Sequence, residues 1–448
     1  MLVACGGDQV AGIQGTGAPV ASGVTSVGPI SGFGSIIQGG VEYQTSGAQF
    51  HVDDQPGAEA QLHVGDVVTI KGTVNADGTT GVATDVSFTA DLRGPVGQVD
   101  VNAGTFTVLG QTVRVTDDTS FDDSLQVSAV DALAGLVVEV SGATNAAGEI
   151  VASRIELAAT GASLQVKGQV QALDAIAHTF RVGALTVDYS SVAVTGTLTS
   201  SSAVLVRGTG VLNGVLVATQ VRVLGALAVA ANDKGRLEGL ITSYTSNADF
   251  AVSGQRVTTD ATTVFDLGGA TLGVDVPVRV RGTFNASGAL TASRVEVKPK
   301  DLSVIRGLVD AVSATGKTLT VLGVSISTTV ETSFEDESSQ KVRLFGVADV
   351  RTGDYVEVRG VPGPGDSLVA TRIERDKPDD RVYLQGLAAN LADPNFTVLG
   401  VQVMTSAQTR FSGPGGQQFF SDAAGHVVRV RGTLAGAVLM ADQVQIEH

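Results

Sequence analysis

The amino-acid sequence predicts an all-β chain: six tandem, small, five-stranded antiparallel barrels of OB-like layout in a linear array. Three observations carry that expectation. Glycine, at 56 residues, far exceeds methionine, at 3, while valine, threonine and alanine recur and charged residues make up only 17%, a balance that favours strands over helices. Apolar residues alternate with polar ones in short stretches, and no apolar run reaches the roughly 18 residues that a membrane-crossing helix needs. One set of short motifs returns six times in a constant order, which is how a repeat architecture appears in sequence. A chain of 448 residues at about 100 to 200 residues per domain holds several cores, and a hydrophobic content of 43% is too high for disorder.

The sixth repeat displays the parts most clearly: "VYLQGLAAN", "FTVLGVQVMT", "TRF", "HVVRVRGTL" and "VLMADQVQIE". Repeat starts fall near Pro29, Arg93, Gln165, Gly235, Ser303 and Val382, which divides the chain into a leading segment 1–28 and units at 29–90, 93–159, 165–225, 235–299, 303–378 and 382–447. In "TFTVLGQTVRVT", Phe106 and Val108 alternate ahead of a tight glycine turn and Val113 and Val115 alternate behind it, the period of a hairpin. A second hairpin turns at "NADG", "NAAG" or "NASG", where asparagine opens the turn and glycine takes the positive φ. With the opening G-x-V strand each unit has five strands. A longer connection between the third and fourth leaves room for a helical turn or two, and five short strands so arranged close into an OB-like barrel without free edges. The third unit is the most degenerate, lacking T-x-F, and the first carries "GGVEYQT" in place of the hairpin.

The N-terminus has its own character. "LVAC", ending at Cys5, the single cysteine of the chain, resembles a bacterial lipobox, with an apolar residue three before the cysteine and small residues next to it. The charged and apolar regions that precede a lipobox are absent ahead of it, so the native start is expected upstream of Met1. Gly6 replaces the aspartate that favours inner-membrane retention, which points to an outer-membrane anchor. The Gly-, Ser- and Thr-rich stretch that follows has the composition of a flexible tether.

Composition also excludes classes of function. A net charge of −16 repels phosphate backbones, so no nucleic-acid partner is expected. One cysteine makes no internal disulfide, and five scattered histidines supply no structural zinc site. No histidine recurs at one repeat position, as a Ser-His-Asp enzyme in each unit would require. "GPGG" and "GPGD" lack the helix and lysine of a phosphate loop and read as turns. No cofactor and no catalytic residue are expected.

Three weaker features have two readings each. Asp117, Asp118, Asp122 and Asp123 in "TDDTSFDD", and Glu335, Asp336 and Glu337 in "FEDES", form acidic clusters able to supply oxygen ligands to Ca²⁺. The plainer reading is a solvated acidic loop, because no copy has EF-hand or nonapeptide spacing. Lys71, Arg207, Arg281, Arg359 and Arg431 recur before glycine and are expected to face outward, pairing with acids such as Glu156 or Glu374, with a ligand-binding stripe as the other reading. The recurring phenylalanine shares a face with the valines, whereas Thr105, Thr107 and Leu109 take the outward positions. Phe106 is therefore core and not a stacking platform for bases, and with 4% aromatic residues and no tryptophan a glycan surface is disfavoured.

The motifs "FTVLG" (Phe106 to Gly110 and Phe396 to Gly400), "TSF" (Thr119 to Phe121 and Thr332 to Phe334), the "VRG" endings and "VASRI" or "VATRI" near Arg154 and Arg372 resemble a bacterial family of domains of unknown function, family 5666, which occurs in tandem in extracytoplasmic lipoproteins. The resemblance covers nearly all of the chain after Pro29 and implies no activity. The functional expectation is a non-enzymatic envelope or surface lipoprotein held by a lipid on Cys5. Its β units would form a rod for structural, adhesive or self-assembly roles, with copies of itself as a partner. The alternative is a module that binds Ca²⁺ or a glycan through its variable loops.

Overall fold

Hairpin turns set the local architecture. In unit 2, Thr105–Val108 pairs antiparallel with Gln111–Arg114, placing Phe106 opposite Val113. Leu109 and Gly110 form the turn with φ of 48° and 71°, the two successive left-handed residues that match the twist of a two-residue hairpin. Leu322–Gly323 and Leu399–Gly400 repeat these angles. The asparagine turns form as expected, with Gly78, Gly148 and Gly288 at positive φ and each donating its N–H to the carbonyl of the asparagine three residues before.

The computed structural model describes residues 23–33, 35–116, 118–122, 125, 130–298, 303–313, 317–412 and 416–446, almost all of them strand or turn. Cys5 lies outside the described residues, as do Asp117 and Asp123.

Strand pairing closes a circuit of five. In unit 2 the opening strand Leu92–Asp100 pairs with Thr105–Val108, which pairs with Gln111–Arg114; that strand pairs with the last strand Ile150–Leu157, which pairs with Val137–Thr144, and this returns to the opening strand. The same circuit of pairings recurs in each of the six stretches of chain, including the degenerate third, where Leu164–Asp174, Thr179–Val182, Leu185–Asp188, Val215–Val223 and Ala203–Leu212 pair in that order and return to the first. Two details differ from the expected wholly antiparallel barrel. The third strand pairs with the last in parallel, because closing this strand order brings together two strands that run the same way. The T-x-F segment adds a short strand alongside the last one, as in Ser120–Phe121 and Ser333–Asp336.

The fourth strand carries a bulge at each V-x-G ending. Register slips at Arg359/Gly360 and at Arg431/Gly432, and a Cβ on either glycine would lie 2.2 or 2.0 Å from a carbonyl oxygen of the last strand. The recurring glycine is thus a steric requirement of the bulge.

Cores fill the barrels with the residues that alternation selects. Phe106, Phe180, Phe250 and Phe396 are all buried, each among its own hairpin valines. Leu109 departs from expectation: it is buried, not outward, because the left-handed turn swings its side chain over Gly94 of the opening strand, where a Cβ would lie 2.9 Å from Leu109 Cγ.

Units join through their opening strands, and the order of joining is not the linear array expected from tandem repeats. Unit 2 pairs with unit 3 (Arg93 opposite Gln165) and unit 5 with unit 6 (Arg306 opposite Tyr383), both antiparallel. Unit 1 skips its sequence neighbours and pairs in parallel with unit 4, Val24 to Val27 against Lys234 to Leu237. This last pairing also corrects the N-terminal boundary, since the first strand starts at Gly23, inside the expected tether. One continuous core serves units 5 and 6 and another serves units 2 and 3, whereas units 1 and 4 keep separate ones. The Arg154–Glu335 ion pair then links units 2 and 5 directly, so the array folds back on itself.

Candidate functional site

The densest polar centre lies where units 1, 2 and 5 meet. The last strand of unit 2 projects Arg154 and Glu156 from one face, two residues apart. Arg154 is buried; it donates to Glu156, and its Nη1 reaches the Val64 carbonyl of unit 1 at 3.1 Å and Glu335 Oε1 of unit 5 at 3.0 Å. Glu335 is held in turn by Arg372 Nη2 at 2.7 Å, and the same nitrogen lies 2.7 Å from Glu374 Oε2. Ser120 donates to Glu335 at 3.2 Å. A single carboxylate therefore ties two units through two arginines.

On the unit 1 side, His63 Nδ1 lies 2.6 Å from Glu156 Oε1 and 3.9 Å from Asp66 Oδ2. His63, Asp66 and Glu156 each bring one ligand atom within 4.8 Å of the others. Arg154 donates to the same Glu156 oxygen that His63 contacts, so that oxygen already has a cationic partner and is a weaker candidate ligand for a divalent cation. Burial pushes the Asp66 carboxyl well above its usual range, with the Glu156 charge adding to the rise. Against the opposing effect of burial, His63 and Arg154 hold Glu156 below its usual value. Burial pushes Glu374 up to about 7 against the opposing charge of Arg372, with Glu335 and Glu357 adding smaller repulsions.

Among the described residues, those singled out as Ca²⁺ ligands do not converge. Glu335 belongs to the junction just described, Asp336 accepts from Arg375 Nε at 2.9 Å and from the Ser338 and Val342 amides, and Glu337 pairs with Lys341 at 2.7 Å. Although burial opposes it, the Arg375 hydrogen bond lowers Asp336 to about 2. Asp118 is exposed, its amide bonded to Thr116 Oγ1 at 3.3 Å, and Asp122 donates its amide to the Ile155 carbonyl, continuing the short strand.

The basic residues before glycine also depart from expectation. Arg359 pairs with Glu357 on its own strand at 2.6 Å. Arg207 and Arg281 reach other units, at Asp54 (3.1 Å) and Glu331 (3.6 Å). Glu156 and Glu374 instead take the arginines of the "S/T-R-I-E" strand, two residues earlier and on the same face. The recurrence of "VASRI" and "VATRI" was the sequence signal for this centre. His63 and Asp66 carried no signal of their own.

Five segments, residues 24–87, 93–156, 238–296, 306–374 and 385–445, match the profile of the DUF5666 family, a domain of unknown function, and together they span more than half of the chain. No curated protein matches. The one unit without a match is the degenerate third, whose strands nonetheless close in the same order as those of the matched units. The chain belongs to the DUF5666 family as a tandem array of its repeats.

Proposed function

We propose that the chain is a non-enzymatic lipoprotein of the bacterial envelope, anchored by a lipid on Cys5 in the outer membrane or at the cell surface. Six OB-like barrels would present a structural or adhesive surface, either to other envelope proteins or to copies of itself. The observation that carries this reading is the use made of recurring polar residues. Arg154, Arg207 and Arg281 reach carboxylates of other units, Arg154 that of Glu335, which Arg372 holds within unit 5, and none lines a catalytic cleft repeated from unit to unit. The closed strand order 1-2-3-5-4, with the third and fifth strands parallel, supports the OB-like assignment.

The folded-back arrangement replaces the rod with a cluster in which sequence-distant units brace one another. Such a cluster suits a rigid platform more than a long-reach spacer. The test is fractionation: in cells that make the native full-length protein, Cys5→Ala is expected to move it from the membrane fraction to the soluble one. Unchanged fractionation would refute the anchor.

A further inference from the structure

The joined barrels offer an internal comparison. Register places Arg93, Glu139, Gln165, Arg207 and Gln220 of the unit 2–3 pair at the same positions as Arg306, Glu357, Tyr383, Arg431 and Gln443 of the unit 5–6 pair. The two pairs therefore build the same groove across the joint between opening strands.

In the 2–3 pair that groove is occupied. Among the described residues only unit 1 extends the short strand beside its last strand, Gln49–Val52, into a hairpin with Gln55–Gly57, whose left-handed turn is Asp53–Asp54. The tip inserts between the arginines. Asp53 pairs with Arg93, and Asp54 lies 3.1 Å from Arg207 Nη2 and 2.9 Å from Arg222 Nη2. Gln165 and Gln220 steady Arg207 at 2.7 and 2.8 Å.

In the 5–6 pair the same place is a cavity of about 470 Å³. Five arginines, 306, 359, 381, 429 and 431, line it with two carboxylates, Glu357 and Asp379; Arg306 also pairs with Asp376, Arg359 with Glu357 and Arg381 with Asp442. Among the described residues no acidic turn enters it. Arg431, the counterpart of Arg207, is exposed, and the Nε atoms of Arg306 and Arg381 are buried without a hydrogen-bond partner. Relative to the 2–3 pair the basic positions are redistributed: Arg359 and Arg429 stand where Ser141 and Leu205 do, while Gln385 and Gln445 stand where Lys167 and Arg222 do.

We infer that the groove between units 5 and 6 is a docking site for an acidic β-turn of a partner protein, one that presents two adjacent carboxylates as Asp53–Asp54 does within this chain. Charge selects the ligand, because clustered guanidinium groups bind paired carboxylates with directional, charge-assisted hydrogen bonds. Shape selects a turn, because the occupant seen in the equivalent groove is a hairpin tip. The inference goes beyond the envelope role and does not depend on the anchor.

The test uses the full chain and a cyclised, dye-labelled peptide with the sequence of residues 49–57, followed by fluorescence anisotropy at low salt. Saturable binding is expected, weakened at least about tenfold by Arg431→Glu. A peptide with asparagine at both aspartate positions should bind no better than that. Lys71→Glu, at the corresponding position of unit 1 and outside the groove, should leave binding unchanged. The proposal is overturned by absence of binding, by equal loss with Lys71→Glu, or by binding of the asparagine peptide as tight as that of the acidic one. Competition by free succinate as effective, mole for mole, as by the unlabelled peptide would also overturn it, since the site would then read carboxylates and not a turn.

Discussion

Phe396 shows how a single side chain reports the phase of a whole unit. It is fully buried beside Val398, Val401 and Val403, and its ring packs 5.3 Å from that of Phe419 on the short helix Gln417–Asp422. Thr397, one residue on, points to the opposite face and accepts a hydrogen bond from exposed Asn390 at 3.1 Å. Phe396→Ala is expected to cost about 3 to 5 kcal/mol, and Thr397→Ala less than about 1 kcal/mol. Site-resolved amide exchange on the two variants checks this. Because units 5 and 6 share one core, protection should fall in 303–376 as well as in 382–446, while units 2 and 3 keep theirs. Loss confined to unit 6 would show that the shared core does not couple the two barrels.

Among the elements, the bulged fourth strand is the one whose sequence requirement is strictest. Its glycine lies against the backbone of the last strand, and in unit 5 a Cβ at Gly360 would meet the Val369 carbonyl oxygen at 2.2 Å. Backbone cannot rotate aside as a flexible side chain does, so Gly360→Ala must open the bulge or break the pairing and is expected to cost at least about 2 kcal/mol. Gly210, also in a fourth strand but with open space around its Cβ position, is the control, and Gly210→Ala should change stability by no more than about 0.5 kcal/mol. Urea unfolding of the two variants separates them; equal midpoints would mean that the bulge tolerates a side chain.

At the scale of the whole molecule, buried charge links units that are distant in sequence, and it makes the assembly sensitive to pH. Glu374 holds its proton up to about 7 in the folded chain, whereas in the unfolded chain it titrates near the ordinary glutamate value of about 4.3. Between those values the folded state binds more protons, so this contribution is complete at low pH and is lost as pH rises through about 7. Asp66 acts in the same direction. Glu238 and Asp336, each lowered to about 2, lose their contribution only in acid and do not interfere between pH 5.5 and 8. The melting temperature is therefore expected to rise from pH 8 to pH 5.5, and Glu374→Gln should raise it at pH 8 and reduce, without abolishing, the pH dependence. An unaltered slope in the variant would remove Glu374 as its source.

Period-two alternation, turn residues and internal repetition are local properties, and they determined the strands, the asparagine turns, the buried phenylalanines and the recurrence of one unit along the chain. They also marked the "VASRI" arginine as a repeated feature and Glu335 as unusual, though as a Ca²⁺ ligand and not as the carboxylate between Arg154 and Arg372. Only the tertiary structure decided which units touch. The parallel pairing of Val24 with Lys234, the entry of Asp53 and Asp54 between Arg93 and Arg222, and the meeting of His63 with Glu156 join residues from different repeats. No periodicity within one repeat encodes such contacts. Repeats that resemble one another offer nearly equal local surfaces, so the choice among possible partners rests on the few side chains in which the copies differ: the extra acidic hairpin of unit 1, Glu335 in unit 5 and the redistributed arginines of units 5 and 6.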